Sequence, residues 1–269
     1  MLVINHNMMA TNAARHLGAS YDALAQSVER LSSGLRINSA KDDAAGLAVR
    51  ELMRSDITVT QQGIRNAQDG ESMLQTMEGA LQTVDNALVR MKQLAEQAST
   101  GSYSSGQRAI MNNEFTEMAS EINRIATSTK FNSIGMLDNT SAVTIQFGGQ
   151  ADQITVQGSD MTSSGLSINS LTIGTAGAAQ SAMTTLDTAI TAKDSARAKF
   201  GYKMNRLEST VQVLSIASEN LSAAESRVSD VDVATEMANM TKNQVLAQAG
   251  ISMLAQANSM PQMALKLLG

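Results

Sequence analysis

Histidine and cysteine, the side chains that most often bind metals or attack substrates, are scarce in this sequence. Cysteine is absent, which excludes disulfides, zinc sites with thiolate ligands and cysteine nucleophiles. The two histidines, His6 and His16, are ten residues apart, a spacing that does not place them on one helical face. We therefore expect no metal site built on these residues.

Asp42 and Asp43 are the acidic pair best placed to suggest a cation site. Adjacent residues on a helix point about 100° apart, so helix capping is the favoured interpretation. The 18 methionines suggest soft-metal or promiscuous binding, but most lie in apolar helical stripes, where they pack adaptably. The sequence also contains no glycine-rich phosphate loop, catalytic triad or basic nucleic-acid patch. We predict no catalytic residues, no cofactor and no enzymatic activity.

The composition favours long helices packed side by side. Aromatic residues make up 3% of the chain, tryptophan is absent, and Pro261 is the single proline. Chains poor in proline and aromatics but rich in Ala, Leu, Gln, Glu and Met form long helices readily. We predict a mainly α fold of long helices in coiled-coil or bundle packing, with one small β-hairpin.

Apolar residues alternate at spacings of four and three in five segments, which is typical of coiled-coil seams. Two of these segments lie at the ends of the chain, and we expect them to pack against each other. The N-terminal seam comprises Ala10, Ala14, Leu17, Tyr21, Leu24, Val28, Leu31 and Leu35, and the C-terminal seam comprises Leu246, Gly250, Met253, Ala257, Met260, Ala264 and Leu267. The predicted assembly residues among them are Leu17, Leu24, Leu31, Leu246, Met253 and Met260.

The N-terminal seam is too small to hold its helix by itself. Two of its eight positions are alanine, and the buried area does not offset the entropy of ordering the helix. We expect both ends to be disordered or frayed in the free chain and to order against other subunits.

One region departs from the helical pattern. Val143, Ile145 and Phe147 alternate with polar residues, as do Ile154 and Val156, so we predict a β-hairpin at about 141–158 with its loop over 148–152. A Ser/Gly-rich connection follows at 159–179, with weaker strand signals at Leu166, Ile168, Leu171 and Ile173.

Two turn signals separate the first helices. Gly34 is expected to end the first helix. Ser39 and Asp42 resemble a capping box that begins the second helix.

The N-terminus does not resemble an ordinary secretory signal. Its apolar run spans only Leu2 to Ile4, whereas such a signal needs about 7–15 apolar residues. No stretch of roughly 20 apolar residues is present for a membrane span. If the protein leaves the cell, we expect it to do so without an ordinary cleaved signal.

Four long motifs resemble those of bacterial flagellins. They are "LSSGLRINSAKDDAAGLAVRE" at 31–51, "NAQDGESMLQTMEGAL" at 66–81, "KFNSIGML" at 130–137 and the C-terminal run at 220–268. The resemblance covers nearly all of the chain except about 141–179.

This resemblance implies a structural subunit of the flagellar filament that self-assembles through its terminal helices for motility. Residues 1–42 and 229–269 would pair as an inner coiled-coil domain, and 43–228 would form a helical rod domain that includes the hairpin. The chain would be secreted by flagellar type III export to the extracellular flagellum. Its implied partners are further copies of itself, an export chaperone, a filament cap protein and hook-junction proteins.

The resemblance also implies a surface that Toll-like innate immune receptors of animals recognise. It maps to Arg90, Leu94 and Glu114, and the first two lie off the Leu88–Met91 seam, so we expect both to face outward. The alternative is a solvated arginine beside a leucine that widens the packed stripe. Met91, Lys92 and Glu96 differ from the usual family residues, as does Tyr202, where a small residue is common.

Two other interpretations of the chain stay open. A hook–filament junction protein of the same superfamily has similar ends, although "SSGLRINSAKDDAAG" and "NSMPQMALKLL" look more like filament flagellin. A surface enzyme or adhesin would need an enzymatic insert. The segment 141–179 is too short for an active-site domain and contains no His, Glu, Lys or Arg.

Overall fold

A computed structural model describes residues 6–149 and 151–267 of the chain. Within these ranges the fold is mainly helical, as predicted. The helices are α1 (Met8–Ser33), α2 (Ala44–Ser99), α3 (Ser105–Ser128), α4 (Ala176–Ser229) and α5 (Val233–Leu267). Two small antiparallel sheets accompany them, β1 (Lys130–Phe131) with β2 (Ile134–Gly135) and β3 (Ala142–Gln146) with β4 (Gln153–Gln157).

Local hydrogen bonds fix the ends of α1. The Asn7 side chain accepts from the Ala10 N–H at 3.0 Å and caps the start of the helix. Gly34 adopts a φ of 73°, and its N–H donates to the Arg30 carbonyl, which confirms the predicted C-cap.

Only half of the predicted capping box forms, and it does not begin α2. The Asp42 carboxylate accepts from both the Ser39 N–H and the Ser39 hydroxyl at 3.0 Å, closing a turn ahead of the helix. Asp43 caps α2 instead, because its carboxylate accepts from the Gly46 N–H at 2.9 Å. The predicted start of α2, with Ser39 as its cap, was therefore four residues too early.

The chain divides into two compact units, which we describe separately. The terminal unit comprises the described parts of 1–57 and 220–269, and the central unit comprises 58–219. This division does not test the predicted functional boundaries at 42/43 and 228/229, which stay a prediction.

The central unit has a continuous apolar core, and the α2 residues in it recur at alternating spacings of three and four. Leu74, Met77, Leu81, Val84, Leu88 and Met91 of α2 are fully buried. Phe115 and Ile122 of α3 and Leu186 and Phe200 of α4 join the same cluster. These are the side chains that make the central unit a packed body.

Three ion pairs link α2 to α4 inside the central unit. Their α2 members, Glu78, Asp85 and Lys92, are seven residues apart, so they share one helical face. The pairs are Arg197 with Glu78 at 2.5 Å, Lys193 with Asp85 at 2.5 Å, and Lys92 with Asp187. Because the α4 numbers fall as the α2 numbers rise, the two helices are antiparallel.

Lys193 is the buried member of these pairs, with a side chain only 3% exposed. Burial acts to lower the pKa of Lys193, but hydrogen bonds to Asp194 and Asp85 outweigh burial and leave the pKa raised. The lysine therefore stays charged beside its carboxylates.

The predicted β-hairpin is confirmed. Ala142 pairs with Gln157, Thr144 with Thr155 and Gln146 with Gln153. Ile145, Ile154 and Val156 are buried in the core, so one face of the hairpin packs inward.

The β1–β2 ribbon lies within the "KFNSIGML" motif and was not predicted. Its central residues, Asn132 and Ser133, have φ angles of 47° and 66°. Two successive positive φ values are typical of a type I′ hairpin turn.

The weaker strand predictions after the hairpin were wrong. Residues 158–175 contain bends and turns and no strand. Leu166, Ile168 and Ile173 are nevertheless buried in the core, because turns there direct apolar side chains inward without a sheet.

Candidate self-assembly surface

α1 and α5 pair antiparallel in the terminal unit. The Asn7 side-chain amide donates to the Ala257 carbonyl at 2.8 Å, near one end of the pair. Near the other end, Arg30 and Glu236 form an ion pair at 3.7 Å. Between them, a Cβ placed on Gly250 would lie 3.1 Å from Leu17 Cδ1, so the two helices approach closely there. The predicted pairing of the two ends is confirmed.

The contact line between α1 and α5 is made of small and polar residues as well as leucines. Along this line α1 places Ala13, Leu17, Ser20, Leu24 and Leu31, which are partly buried, and Ser27, which is buried. Along the same line α5 places Met240, Asn243, Gly250 and Leu254, which are partly buried, and Glu236, Ala247 and Ala257, which are buried. Both lists alternate at spacings of three and four, as coiled-coil seams do.

Two of the predicted seam residues of α5 do not lie in this contact. Leu246 is 46% exposed and Met253 is 63% exposed, so their placement between α1 and α5 was wrong. Ala247 and Leu254 lie in the contact in their place, whereas Gly250 and Ala257 of the predicted seam do contribute to it. Met260 is half-buried.

A similar shift occurs on α1. Leu17, Leu24 and Leu31 are partly buried, as predicted, but Tyr21 is 48% exposed and Val28 is 51% exposed. Ser20 and Ser27 take their places in the contact. The apolar stripe of α1 is therefore wider than the surface that α5 covers.

α5 carries apolar side chains on every side. In addition to its contact line, it exposes Val233, Met237, Val245, Leu246, Ile251, Met253 and Met263. A helix that is apolar all round is normally enclosed by protein. We call these seven residues, together with Tyr21 and Val28 of α1, the uncovered apolar face.

Backbone hydrogen bonds join the segment that follows α1 to the segment that precedes α5. The Arg36 N–H donates to the Ser229 carbonyl at 2.6 Å, and the Val231 N–H donates to the Gly34 carbonyl at 3.0 Å. The Arg36 guanidinium also donates to the Val228 carbonyl at 2.7 Å. These bonds hold the end of α1 beside the start of α5.

Aspartates at two turns of the terminal unit have lowered pKa values. A hydrogen bond from the Thr235 hydroxyl to Asp232 lowers the pKa of Asp232, and the N–H groups of Thr235 and Ala234 act in the same direction. The Ser39 N–H and hydroxyl lower the pKa of Asp42. Both carboxylates therefore stabilise these turns in the ionised form.

The predicted receptor surface is in the central unit, and only part of it is at the surface. Arg90 and Glu114 form an ion pair at 2.6 Å, with side chains 49% and 42% exposed. Leu94 is only 2% exposed and belongs to the core cluster, so the expectation that it faces outward was wrong. It widens the packed stripe of α2, as the alternative interpretation held.

Neither a metal cluster nor a membrane span was found among the described residues. No group of three or more His, Cys, Asp and Glu side chains in residues 6–149 and 151–267 is arranged to hold an ion. None of the helices over the same residues is both long enough and apolar enough to cross a membrane.

Paired terminal helices with apolar side chains on every side of α5 are typical of helical subunits that pack against further protein. Sequence profiles identify the family. The profile for the bacterial flagellin N-terminal helical region matches residues 4–142, and that for the C-terminal helical region matches residues 183–268. The chain belongs to the bacterial flagellin family.

Curated relatives match the chain over its full length. It is 43% identical to the flagellin of Halalkalibacterium halodurans over 99% of this chain and 100% of that protein. It is 42% identical to the flagellar filament 33 kDa core protein of Treponema phagedenis, with the same coverage. It is 40% identical to the flagellin of Bacillus subtilis over 98% of this chain and 99% of that protein.

Solved structures agree with the family. The crystal structure of Bacillus cereus flagellin superposes with a TM-score of 0.52 at 30% identity, covering 60% of this chain and 94% of that one. A putative flagellar hook-associated protein from Vibrio parahaemolyticus gives a TM-score of 0.58 over 70% of this chain and 100% of that one. At 12% identity, the second likeness shows the fold alone.

The chain is therefore a structural subunit of the bacterial flagellar filament, which self-assembles. The hook–filament junction alternative is not better supported. Flagellins are a family of structural proteins.

Proposed function

We propose that the uncovered apolar face is the surface through which copies of this chain join the filament. The observation that carries this proposal is α5, whose exposed residues include Val245, Leu246, Ile251 and Met253. Burying such side chains removes apolar area from water, which favours association. α1 covers only one side of α5, so neighbouring copies are the proposed cover for the other sides.

The predicted assembly residues take two different roles in this proposal. Leu17, Leu24 and Leu31 hold α1 against α5 within one chain. Leu246 and Met253 contact neighbouring copies, since they are exposed in the single chain. A polar substitution at either of the last two should impair assembly without disturbing the α1–α5 pair.

Seeded growth tests this proposal. Purified monomer is added to short filament seeds, and elongation is followed by light scattering and electron microscopy. We expect the full chain to extend the seeds, and a chain lacking 1–33 and 231–269 to remain monomeric and helical. A full chain that caps the seeds without extending them would instead support the hook–filament junction protein.

Point variants test which residues of α5 form the contact between copies. We expect Leu246→Glu and Met253→Glu each to slow elongation at least about tenfold, because a charge would be buried between copies. Gln248→Glu is the matched control, since Gln248 is an exposed polar residue of the same helix. Equal elongation by all three variants would show that this side of α5 is not an assembly contact.

We further propose that the chain acts outside the cell, reaches the filament by type III export and has no catalytic role. Before assembly, the apolar face of α5 needs cover, which is the proposed task of the export chaperone. The filament cap and hook-junction proteins are the other proposed partners. Deleting 231–269 should abolish chaperone binding in a pull-down, whereas deleting 141–158 should not.

The exposed Arg90–Glu114 pair is a proposed contact for a Toll-like immune receptor. Arg90→Ala and Glu114→Ala should each reduce the response of a receptor reporter cell. Arg124→Ala is the control, because Arg124 also forms an exposed ion pair on α3, with Glu121 at 2.6 Å. A response unaffected by the first two changes would remove this proposal. Leu94→Ala should act through stability, since Leu94 is buried.

A further inference from the structure

The described methionines with exposed side chains all lie on the two terminal helices. Met8 and Met9 on α1 and Met237, Met253 and Met263 on α5 are between 45% and 74% exposed. In the central unit, Met73, Met77, Met91, Met111, Met136 and Met161 are buried, and Met118, Met183 and Met204 are half-buried. Within residues 6–149 and 151–267, the exposed methionine side chains are thus confined to α1 and α5.

Exposed thioethers are the accessible sites for mild oxidation in a chain that has no cysteine. The sulfur lone pair attacks one oxygen of hydrogen peroxide, the O–O bond breaks, and a sulfur–oxygen bond forms. Sulfur loses two electrons, and the released hydroxide takes the proton from the transferred hydroxyl to become water. The product, methionine sulfoxide, is polar where the thioether was apolar.

We propose that these five methionines are a peroxide-sensitive modification site that controls assembly. Oxidation of the free chain puts polar sulfoxides on α1 and α5, including Met237, Met253 and Met263 of the uncovered apolar face. Those sulfoxides oppose burial between copies, while the buried methionines keep the central unit folded. The inference rests on the proposed assembly function of the same face.

The first experiment uses the full-length monomer. It is treated briefly with hydrogen peroxide, quenched with catalase, mapped by peptide mass spectrometry and added to filament seeds. We expect the five exposed methionines to be oxidised before those of the central unit, and elongation to slow at least about tenfold. Methionine sulfoxide reductases A and B should restore elongation, because each reduces one sulfoxide epimer.

Two leucine variants distinguish oxidation of the terminal helices from oxidation of the central unit. The elongation rate of each variant after peroxide is compared with its own rate before treatment. One carries leucine at Met8, Met9, Met237, Met253 and Met263, and we expect peroxide to leave its rate unchanged. The other carries leucine at Met118, Met183 and Met204, which is a volume-conserving change. We expect the second variant to lose elongation as the natural chain does.

The outcomes distinguish this inference from the function on which it rests. If the untreated natural chain does not extend seeds, the proposed assembly function fails, and this inference fails with it. If the untreated chain extends seeds and the oxidised chain does so equally fast, only this inference fails. It also fails if the five-leucine variant is as sensitive to peroxide as the natural chain.

Discussion

At the scale of single residues, Gly63 and Gly79 of α2 have opposite environments. A Cβ on Gly63 would overlap the backbone carbonyl of Phe147, just after strand β3, whereas a Cβ on Gly79 would meet nothing within 4 Å. We predict that Gly63→Ala destabilises the central unit by about 1–3 kcal/mol, because backbone cannot move aside cheaply. Urea unfolding of the monomer, followed by circular dichroism, measures the change.

Gly79→Ala is the matched control for this prediction. Alanine in an exposed helix position has a better helix propensity than glycine, by up to about 1 kcal/mol. The two variants should therefore shift the unfolding midpoint in opposite directions. Destabilisation by both would mean that α2 requires glycine for a reason other than the approach of Phe147.

Asp232, at the start of α5, gives a prediction about pH. Its pKa is lowered below the ordinary value of 3.8, so its stabilising effect is complete above that value and disappears as pH falls through the lowered pKa. We predict that the first turn of α5 loses helical order in the natural chain as the pH falls below 3.8 and through the lowered pKa of Asp232. In Asp232→Asn, which accepts hydrogen bonds but does not titrate, the change should be smaller.

Chemical shifts of Ala234 and Thr235 in the monomer, recorded across this pH range, measure the effect. Asp56→Asn is the control, because it also removes one negative charge but lies within α2 and not at a helix start. A pH response of the same size in Asp232→Asn and the natural chain would show that Asp232 is not the group responsible.

The sequence predicted the burial of some single residues correctly and of others wrongly. Apolar periodicity identified Leu88 and Met91 as core residues, since core packing and spacing agree there. It failed at Leu94, because a buried stripe that packs against several elements is wider than one seam. Arg90 and Glu114 were recognised by resemblance, and their ion pair depends on the packing of α2 with α3, which periodicity alone does not specify.

At the scale of helices, the ion pairs between α2 and α4 differ in burial, which leads to a third prediction. Asp85→Ala leaves Lys193 buried with Asp194, whose side chain is 61% exposed. We predict a loss of stability of about 1–3 kcal/mol, since the buried ammonium loses the less exposed of its two partners. Adding Lys193→Met should restore most of that loss, because the uncompensated charge is removed.

Asp187→Ala is the control, because Asp187 belongs to another of the three ion pairs between α2 and α4. The Lys92–Asp187 pair is exposed, at 42% and 59%, so its loss should cost about 0–1 kcal/mol. Urea unfolding of the four proteins completes the comparison. If Asp85→Ala costs no more than Asp187→Ala, burial does not set the energy of these pairs.

The register of helix pairs was harder to predict than the helices themselves. Apolar spacing placed Leu17, Leu24 and Leu31 correctly in the α1–α5 contact, but it also placed Tyr21, Val28, Leu246 and Met253 there, where serine, alanine and Leu254 lie instead. Large apolar side chains occur both in the contact between α1 and α5 and on the surface proposed to contact other copies, so their positions alone do not distinguish the two. The small residues at alternating spacings were the available signal. The β1–β2 ribbon was missed because neither Asn132 nor Ser133 is a glycine.

At the scale of the whole molecule, the two compact units differ in what they bury. The central unit buries large side chains such as Phe115, Phe200 and Leu81 completely. In the terminal unit, the buried side chains among the described residues are Ser27, Ile37, Ile57, Ser229, Glu236, Ala247 and Ala257. Apart from Ile37 and Ile57, these side chains are small or polar and contribute little hydrophobic stabilisation, so each unit should have its own local stability.

Hydrogen exchange tests this difference directly. In the free chain, we predict that amides in α1 and α5 exchange at least about 100-fold faster than those at 74–91 of α2, because opening α1 and α5 exposes little buried apolar area. In the filament, α1 and α5 should become strongly protected, since neighbouring copies then cover the uncovered apolar face. The segment 74–91 is the internal reference in both states.

Comparing amide exchange in the free chain with exchange in the filament distinguishes two ways in which assembly can occur. Fast exchange in the monomer with slow exchange in the filament means that association itself orders the terminal helices. Part of the association free energy then offsets the entropy lost when α1 and α5 become ordered. Slow exchange already in the monomer would contradict our expectation of frayed ends and would mean that preformed faces dock. Fast exchange in both states would show that the uncovered apolar face remains uncovered, which would remove the basis of the assembly proposal.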